Sequence, residues 1–196
     1  MKLFQLAGIG RDAFGKKAAK SVRSENAIPC VIYGGESTIH FSVTKDAVRK
    51  LIYTPLVQLV DLTIDGTAYK AIIKDIQFHP VTDEILHIDF YQIFEEKPVA
   101  IEVPIVLEGL SEGVKQGGKL SQGLRKLKIK GLYTNFPQTL TVNVSNLGLG
   151  KSILAGALSF ENIEILTPKT SVIATVKLTR AARGAAAAAA ASKGKK

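Results

Sequence analysis

The segment from Lys70 to Tyr91 constrains the fold of this chain more than any other stretch. It reads as two β-strands and a turn: Ala71–Ile76 is rich in β-branched residues, His79–Asp83 is typical of turns, and Ile85–Tyr91 alternates between apolar and polar residues. The second strand would place Leu86, Ile88 and Phe90 on one face and His87, Asp89 and Tyr91 on the other. Because an apolar face needs a core to cover, the segment predicts a sheet with one buried and one exposed side.

The polar face of this strand has three possible interpretations. Histidine can donate and accept hydrogen bonds, ionised aspartate accepts them, and tyrosine adds a ring with a hydroxyl, so the face could contact base edges and 2′-hydroxyls of RNA. It could also be an ordinary solvated face, since any half-buried strand alternates in this way. A metal site from His79, His87 and Asp89 is the third interpretation, but no cysteine or further histidine completes that ligand set.

Composition favours a folded protein with mainly β structure. A chain of 196 residues can hold one large domain or two small ones, and 46% hydrophobic with 22% charged residues is typical of a soluble protein. Many Val, Ile and Thr residues favour strands. The single cysteine, Cys30, excludes an intramolecular disulfide and is expected to be a buried, unreactive thiol in a reducing cytoplasm.

The sequence contains no apolar run of the ~18 residues that a membrane-spanning helix needs. The stretch Met1–Ile9 has one positive charge and a short apolar run, so we interpret it as a first strand and not as a signal peptide. We therefore expect no membrane partner.

The net charge of +9 is unevenly distributed along the chain. Residues 1–25 carry six Lys/Arg and two Asp/Glu, whereas residues 26–110 carry six and twelve. Residues 111–180 carry ten and three, and residues 181–196 carry four and none. Basic segments near both ends predict a polyanionic partner, with nucleic acid favoured over membrane.

The first half of the chain predicts a small β-barrel with one or two short helices. Lys16–Glu25 is either a short helix, which would place Lys16, Lys20 and Arg23 on one face, or an ordered basic loop. Thr44 is a candidate N-cap for a helix over Lys45–Ile52. Five to six strands are expected before Phe94, enough to close a barrel. Tyr33 ends one of these strands, either in the core or facing a ligand.

A linker at residues 95–98 separates this domain, residues 1–96, from a second all-β domain, residues 97–180. In the second domain Pro104 predicts an edge strand or a bulge, and residues 109–123 predict a long mobile loop. A strand over residues 124–132 would place Lys126, Lys128 and Lys130 on one face. Residues 181–196, rich in Ala and Lys, predict a disordered basic tail.

No motif supports catalysis. The run Leu147–Ser152 resembles part of a phosphate-binding loop, but Ser145 occupies the position of the first glycine and no long helix pattern follows. The sequence also lacks a nucleophile elbow, a Cys/His pair and a metal-ligand cluster. We therefore expect no catalytic residue, no cofactor, no metal and no small-molecule substrate.

Several motifs together resemble a known family. They are G-R-D-A-F-G-K at 10–16, I-P-C-V-I-Y-G-G at 28–35, D-I-Q-F-H-P at 75–80 and H-I-D-F at 87–90. Together with the segments at 103–118 and 136–150, they resemble the bacterial ribosomal protein L-twenty-five family in its long, two-domain form, also called general stress protein Ctc. The resemblance covers residues 1 to about 180 but not the tail.

This resemblance implies an N-terminal β-barrel that binds 5S ribosomal RNA in the central protuberance of the large subunit, with neighbouring ribosomal proteins and rRNA as further partners. It implies a location on the cytoplasmic ribosome. By position, the residues that match the family's RNA surface are Arg11, Lys16, Lys20, Arg23, Tyr33, Gln77, His87 and Asp89. Lys17, Lys126, Lys128 and Lys130 are expected to make secondary basic contacts.

The sequence departs from the family pattern around one turn. Ser21 stands where the family often has an arginine, and Glu25-Asn26 replaces a common basic residue and a glycine. Asn26 tolerates positive φ, so the turn can form, but Glu25 would repel RNA if it faced it. Two alternatives stay open: a tRNA-binding module or stress-related RNA-binding protein acting in translation, and a small hydrolase or metal enzyme that uses His87 and Asp89.

Overall fold

The computed structural model describes residues 2–160 and 162–180. These residues form two compact units. The first contains the residues up to Ile101 together with Gly131–Gln138, and the second contains Glu102–Lys130 and the residues from Thr139 onwards. The predicted domain boundary at residues 96/97 stays a prediction, and the predicted disordered tail lies outside the described residues.

The elements of the first unit follow the predicted pattern closely. Its strands are β1 (Lys2–Gly10), β2 (Ala27–Tyr33), β3 (Ile39–Thr44), β4 (Gln58–Ile64), β5 (Thr67–Phe78) and β6 (Ile85–Gln92), and its helices are α1 (Gly15–Ser24) and α2 (Lys45–Ile52). The strands close into a barrel in the order β1-β3-β2-β6-β5-β4. The predicted small barrel of five to six strands, with one or two short helices, is therefore confirmed.

The barrel closes where β1 pairs in parallel with β4, in a register that runs from Lys2 opposite Gln58 to Gly8 opposite Ile64. Closure leaves no free sheet edge. Inward-facing apolar side chains fill the interior, among them Ile28, Phe41, Leu62, Ile88 and Phe90, all fully buried.

One turn and one helix start follow the sequence expectations. Asp65 and Gly66 both have positive φ, 47° and 88°, as a tight hairpin between β4 and β5 requires. Thr44 does occupy the N-cap of α2, but its side chain makes no capping hydrogen bond. The backbone amide of Lys45 instead donates to the carbonyl oxygen of Asn26, at 3.1 Å.

The second unit is also built on strands. They are β7 (Val99–Glu108), which begins in the first unit, β8 (Lys119–Gln122), β9 (Lys126–Gly131), β10 (Leu140–Asn143), β11 (Ser152–Leu154), β12 (Glu164–Ile165) and β13 (Val172–Lys177), with one short helix, α3 (Glu112–Lys115). They form one sheet in the order β10-β7-β9-β12 and another in the order β11-β13-β8. The mainly β fold class, with a second β domain, is confirmed.

The predicted mobile loop over residues 109–123 is wrong, because α3 and β8 lie inside it. The Ser111 hydroxyl caps α3 by accepting a hydrogen bond from the amide of Val114 at 3.2 Å. β8 pairs with β13 from Lys119 opposite Lys177 to Gln122 opposite Ala174. Both elements are only four residues long, too short to produce a clear periodicity.

Of the two positions predicted for Pro104, an edge strand or a bulge, the edge position is wrong, because β7 lies between β10 and β9. The ladder with β10 begins at Ile105, one residue after the proline. The missing N–H of Pro104 therefore removes no hydrogen bond from that ladder.

Among the described residues, no helix is both long and apolar enough to span a membrane.

Candidate nucleic-acid interface

Helix α1 presents the basic residues that the sequence singled out. Gly15, with φ of 88°, turns the chain into the helix, and Asn26, with φ of 59°, turns it out towards β2. Lys16, Lys17 and Lys20 are exposed, and no helix residue is fully buried. Four cations, these three lysines and Arg23, thus line a helix that carries no acidic residue in its first turn.

Arg23 holds this helix against the barrel. Its Nε and Nη2 atoms donate to the carbonyl oxygen of Leu86 in β6, at 3.1 and 2.9 Å. The guanidinium is partly buried, which strengthens such charge-assisted bonds. Because a guanidinium carries five N–H donors, Arg23 can keep these two bonds and still offer donors to a phosphate.

The outer face of β6 carries a paired histidine and aspartate. His87 Nδ1 lies 2.7 Å from Asp89 Oδ1, and both side chains are about a quarter exposed, 25% and 27%. The aspartate orients the ring and favours the tautomer that carries its proton on Nδ1. The other ring nitrogen, Nε2, is then available as an acceptor in the neutral ring or as a donor in the charged one.

The neighbouring strand adds two polar side chains in register. Gln77 on β5 lies opposite His87, and Asp75 lies opposite Asp89. Both β5 side chains are exposed. The face therefore combines amide, imidazole and carboxylate groups, which suits directional hydrogen bonding better than simple charge attraction.

Tyr33 lies at the end of β2, beside β6, and is half-buried. Its ring meets that of Tyr91 edge-on, with centroids 5.7 Å apart and planes at 79°. Burial, followed by the negative charges of Asp89 and Asp75, raises the pKa of the Tyr33 hydroxyl, so it stays protonated and can donate. Gly34 follows with φ of 99°, and a Cβ there would meet the Tyr91 ring at 2.7 Å, so glycine is required on both grounds.

Arg11 continues this surface past the end of β1. Its backbone amide donates to the carbonyl oxygen of His40 at 2.9 Å. Its side-chain Nε atom is buried and has no hydrogen-bond partner within the part of the chain that the structure describes. Burying this donor without a partner is costly, and the atom is closed to solvent.

The residues that depart from the family pattern, Ser21 and Glu25-Asn26, are accommodated within α1 and the turn that follows it. The Ser21 hydroxyl donates to Glu25 Oε1 at 3.2 Å, so this carboxylate is turned towards its own helix. Asn26 adopts the positive φ expected of it.

The second unit holds the other predicted basic residues. Lys126, Lys128 and Lys130 are exposed along β9, while Leu127 and Ile129 beneath them are fully buried. Lys130 pairs across the sheet with Glu164, which offsets part of its charge.

His79 does not join His87 and Asp89. Its Nδ1 atom accepts from the backbone amides of Val81 and Thr82, at 3.3 and 3.2 Å, and so stabilises the β5–β6 turn. Over residues 2–160 and 162–180, no group of three or more His, Cys, Asp or Glu side chains is placed to hold a metal ion.

Sequence reasoning missed three features of this surface: the bond from Arg23 to Leu86, the contact of Tyr91 with Tyr33, and Asp75 opposite Asp89. The alternation of β6 placed Tyr91 on the polar face, so its position was visible in the sequence. The Arg23 bond joins residues 63 apart and has no local signal.

Two known families match the chain. Residues 6–90 match the Ribosomal L25p family, and residues 98–180 match the C-terminal domain of ribosomal protein TL5. A large ribosomal subunit protein bL25 from Azobacteroides pseudotrichonymphae is 59% identical over 93% of this chain and 97% of its own. Proteins of the same name from Bacteroides fragilis and Porphyromonas gingivalis are 59% and 57% identical, over 88% and 95% of this chain and 88% and 98% of their own.

Proposed function

Because the chain belongs to the ribosomal L25p family, in its long two-domain form, we propose that it binds 5S ribosomal RNA in the central protuberance of the large ribosomal subunit. As a member of this family, the chain is a structural protein of the large ribosomal subunit. Its partners are rRNA and ribosomal proteins, and it is located in the cytoplasm. The resemblance in the sequence and the prediction that the chain is not an enzyme are thereby confirmed.

One observation carries the proposal: a pair of hydrogen bonds connects helix α1 to strand β6. The Arg23–Leu86 bonds bring a helix bearing four cations beside a strand face that bears His87 and Asp89. Phosphate contacts fix the position of a protein on RNA, and directional bonds to bases and riboses select the site. An interface with both kinds of group side by side supports recognition of a folded RNA over general attraction to polyanions.

Within this interface we assign roles by chemistry. Lys16, Lys20 and the free donors of Arg23 bind phosphates, and the guanidinium of Arg11 adds a further positive charge. Gln77 and His87 Nε2 bond to bases or riboses, and the Tyr33 hydroxyl donates. Asp89 positions His87 through the 2.7 Å bond. Lys17 adds charge at the edge of the helix.

We also propose that Lys126, Lys128 and Lys130 make secondary phosphate contacts from the second unit. Their regular spacing along an exposed strand suits a phosphate backbone. Glu164 opposite Lys130 weakens one of the three, so their contribution should be smaller than that of α1.

The test is an equilibrium titration of the full chain against 5S ribosomal RNA and against bulk tRNA, at two salt concentrations. The proposal predicts tight binding to the 5S RNA, much weaker binding to tRNA, and a moderate salt dependence. Equal and steeply salt-dependent binding to both RNAs would show a generic basic surface. Preference for tRNA would favour the alternative of a tRNA-binding module.

A further inference from the structure

Phe14 lies on the surface where an apolar side chain is least expected. It occupies the N-cap of α1, is 63% exposed, and does not belong to the barrel core. Its ring packs against that of His40 on β3, with centroids 4.7 Å apart and planes at 59°. The ring is thus held from one side by the histidine and stays open to solvent on the other.

The surroundings of this ring are cationic and partly apolar. Arg11 precedes Phe14 by three residues, and its backbone amide is bonded to the carbonyl oxygen of His40. Lys16 and Lys17 follow it and are exposed. Ile9, 71% exposed, lies opposite Ser42, two residues from His40 on the same strand. Asp12 is the one acidic side chain in this stretch.

A supported aromatic ring among phosphate-binding cations is suited to hold a base. Unpaired bases in RNA stack on aromatic side chains while neighbouring cations bind the backbone. Stacking needs a ring whose orientation is fixed and whose face is open. The contact with His40 fixes the orientation of the Phe14 ring, and the exposure of Phe14 leaves a face open.

We propose that Phe14, supported by His40, is a stacking site for one unpaired base of the bound RNA. The proposal rests on the proposed function, because it takes RNA as the ligand. It adds a contact that depends on the π face of a side chain and not on charge.

The first test uses the absence of tryptophan from the chain. Phe14→Trp introduces a single tryptophan, and stacking with a base should quench its fluorescence when 5S ribosomal RNA is added. The matched control is Tyr53→Trp, since Tyr53 is 65% exposed and lies at the C-cap of α2 in the same unit. Its emission should change little on binding. Binding of Phe14→Trp without quenching beyond that of the control would overturn the proposal.

The second test separates stacking from simple apolar contact. Phe14→Leu keeps an apolar side chain but loses the ring, so affinity for 5S ribosomal RNA should fall on the order of 10-fold, with an unchanged salt slope. Phe14→Tyr should bind as the wild type does. Because Phe14 is exposed, thermal melting of all variants should match that of the wild type.

The failures of the two proposals are distinguishable. If the wild type binds 5S RNA selectively and Phe14→Leu binds equally well, only the stacking site is wrong. If the wild type shows no selectivity for 5S RNA, the proposed function fails and the stacking site fails with it.

Discussion

His87 and Asp89 act as one unit at the level of single residues. The 2.7 Å bond between them makes the orientation of the imidazole depend on the carboxylate. We therefore expect Asp89 to contribute to RNA binding through His87, because its carboxylate is bonded to the imidazole.

We expect His87→Ala to weaken binding to 5S ribosomal RNA on the order of 10-fold, as loss of one directional contact does. Asp89→Asn should also weaken it, because the amide no longer fixes the proton on Nδ1. In the double variant the two losses should not add, since Asp89 acts through His87. Dissociation constants from the four proteins check this, and additive losses would give Asp89 a contact of its own.

Cys30 shows how burial controls ionisation within the barrel. Its side chain is fully buried, and burial raises the pKa of the thiol well above its ordinary value. The folded protein therefore keeps the thiol protonated at alkaline pH. The unfolded chain ionises it above its ordinary pKa of ~8.5, so the free energy of unfolding falls as pH rises beyond that value.

The comparison of wild type with Cys30→Ala isolates this effect, because other groups titrate alike in both proteins. Between about pH 8.5 and 10 the wild type should lose stability relative to the variant, measured by denaturant titration. A constant difference across that range would mean that the thiol ionises as readily in the folded protein. Below pH 8 the thiol should also resist alkylation until the protein unfolds.

At the level of elements, Arg23 is the side chain that bonds α1 to β6. The helix has no fully buried residue and no side-chain cap, so little else fixes it to β6. Arg23 is therefore both an anchor and a candidate phosphate ligand.

Arg23→Ala should speed amide exchange across residues 16–24, because α1 loses its two bonds to Leu86. It should weaken RNA binding by more than the loss of one phosphate contact would, because the position of the helix changes as well. Lys20→Ala is the matched control: it removes the same charge from the same helix, and Lys20 forms no hydrogen bond or ion pair within the described residues. In Lys20→Ala the salt slope of RNA binding should fall by about one unit. The amide exchange rates of residues 16–24 should stay as in the wild type. Equal exchange rates in Arg23→Ala and wild type would exclude the anchoring role.

Elements with a strong local pattern were predictable from the sequence, and short ones were not. The β5–β6 hairpin, the Asp65-Gly66 turn and α2 have clear alternation, turn residues or helical spacing. α3 and β8, four residues each, form because Ser111 caps the helix and β13 supplies a partner strand. Partners that are distant in sequence leave no trace in a local window, and the Arg23 bond was missed for the same reason.

At the scale of the whole molecule, charge is carried by both units. The triple variant Lys126→Gln, Lys128→Gln, Lys130→Gln removes three exposed charges from β9 without touching its buried side. We expect a small reduction in the salt slope of 5S RNA binding, by about one unit or two, since Glu164 already offsets Lys130. The matched variant in α1, Lys16→Gln, Lys17→Gln, Lys20→Gln, should reduce the salt slope and the affinity of 5S RNA binding more than the β9 variant does. The reverse ranking would place the main phosphate contacts in the second unit.

The central claim is that α1 and β6 together form the surface that binds 5S ribosomal RNA. Hydrogen–deuterium exchange of the full chain, with and without saturating 5S RNA, tests it most directly. We predict that added protection concentrates in residues 15–24 and 85–92, whereas α2, residues 45–52, exchanges as in the free protein. Protection confined to α2 or to the second unit, with residues 15–24 unchanged, would contradict the claim.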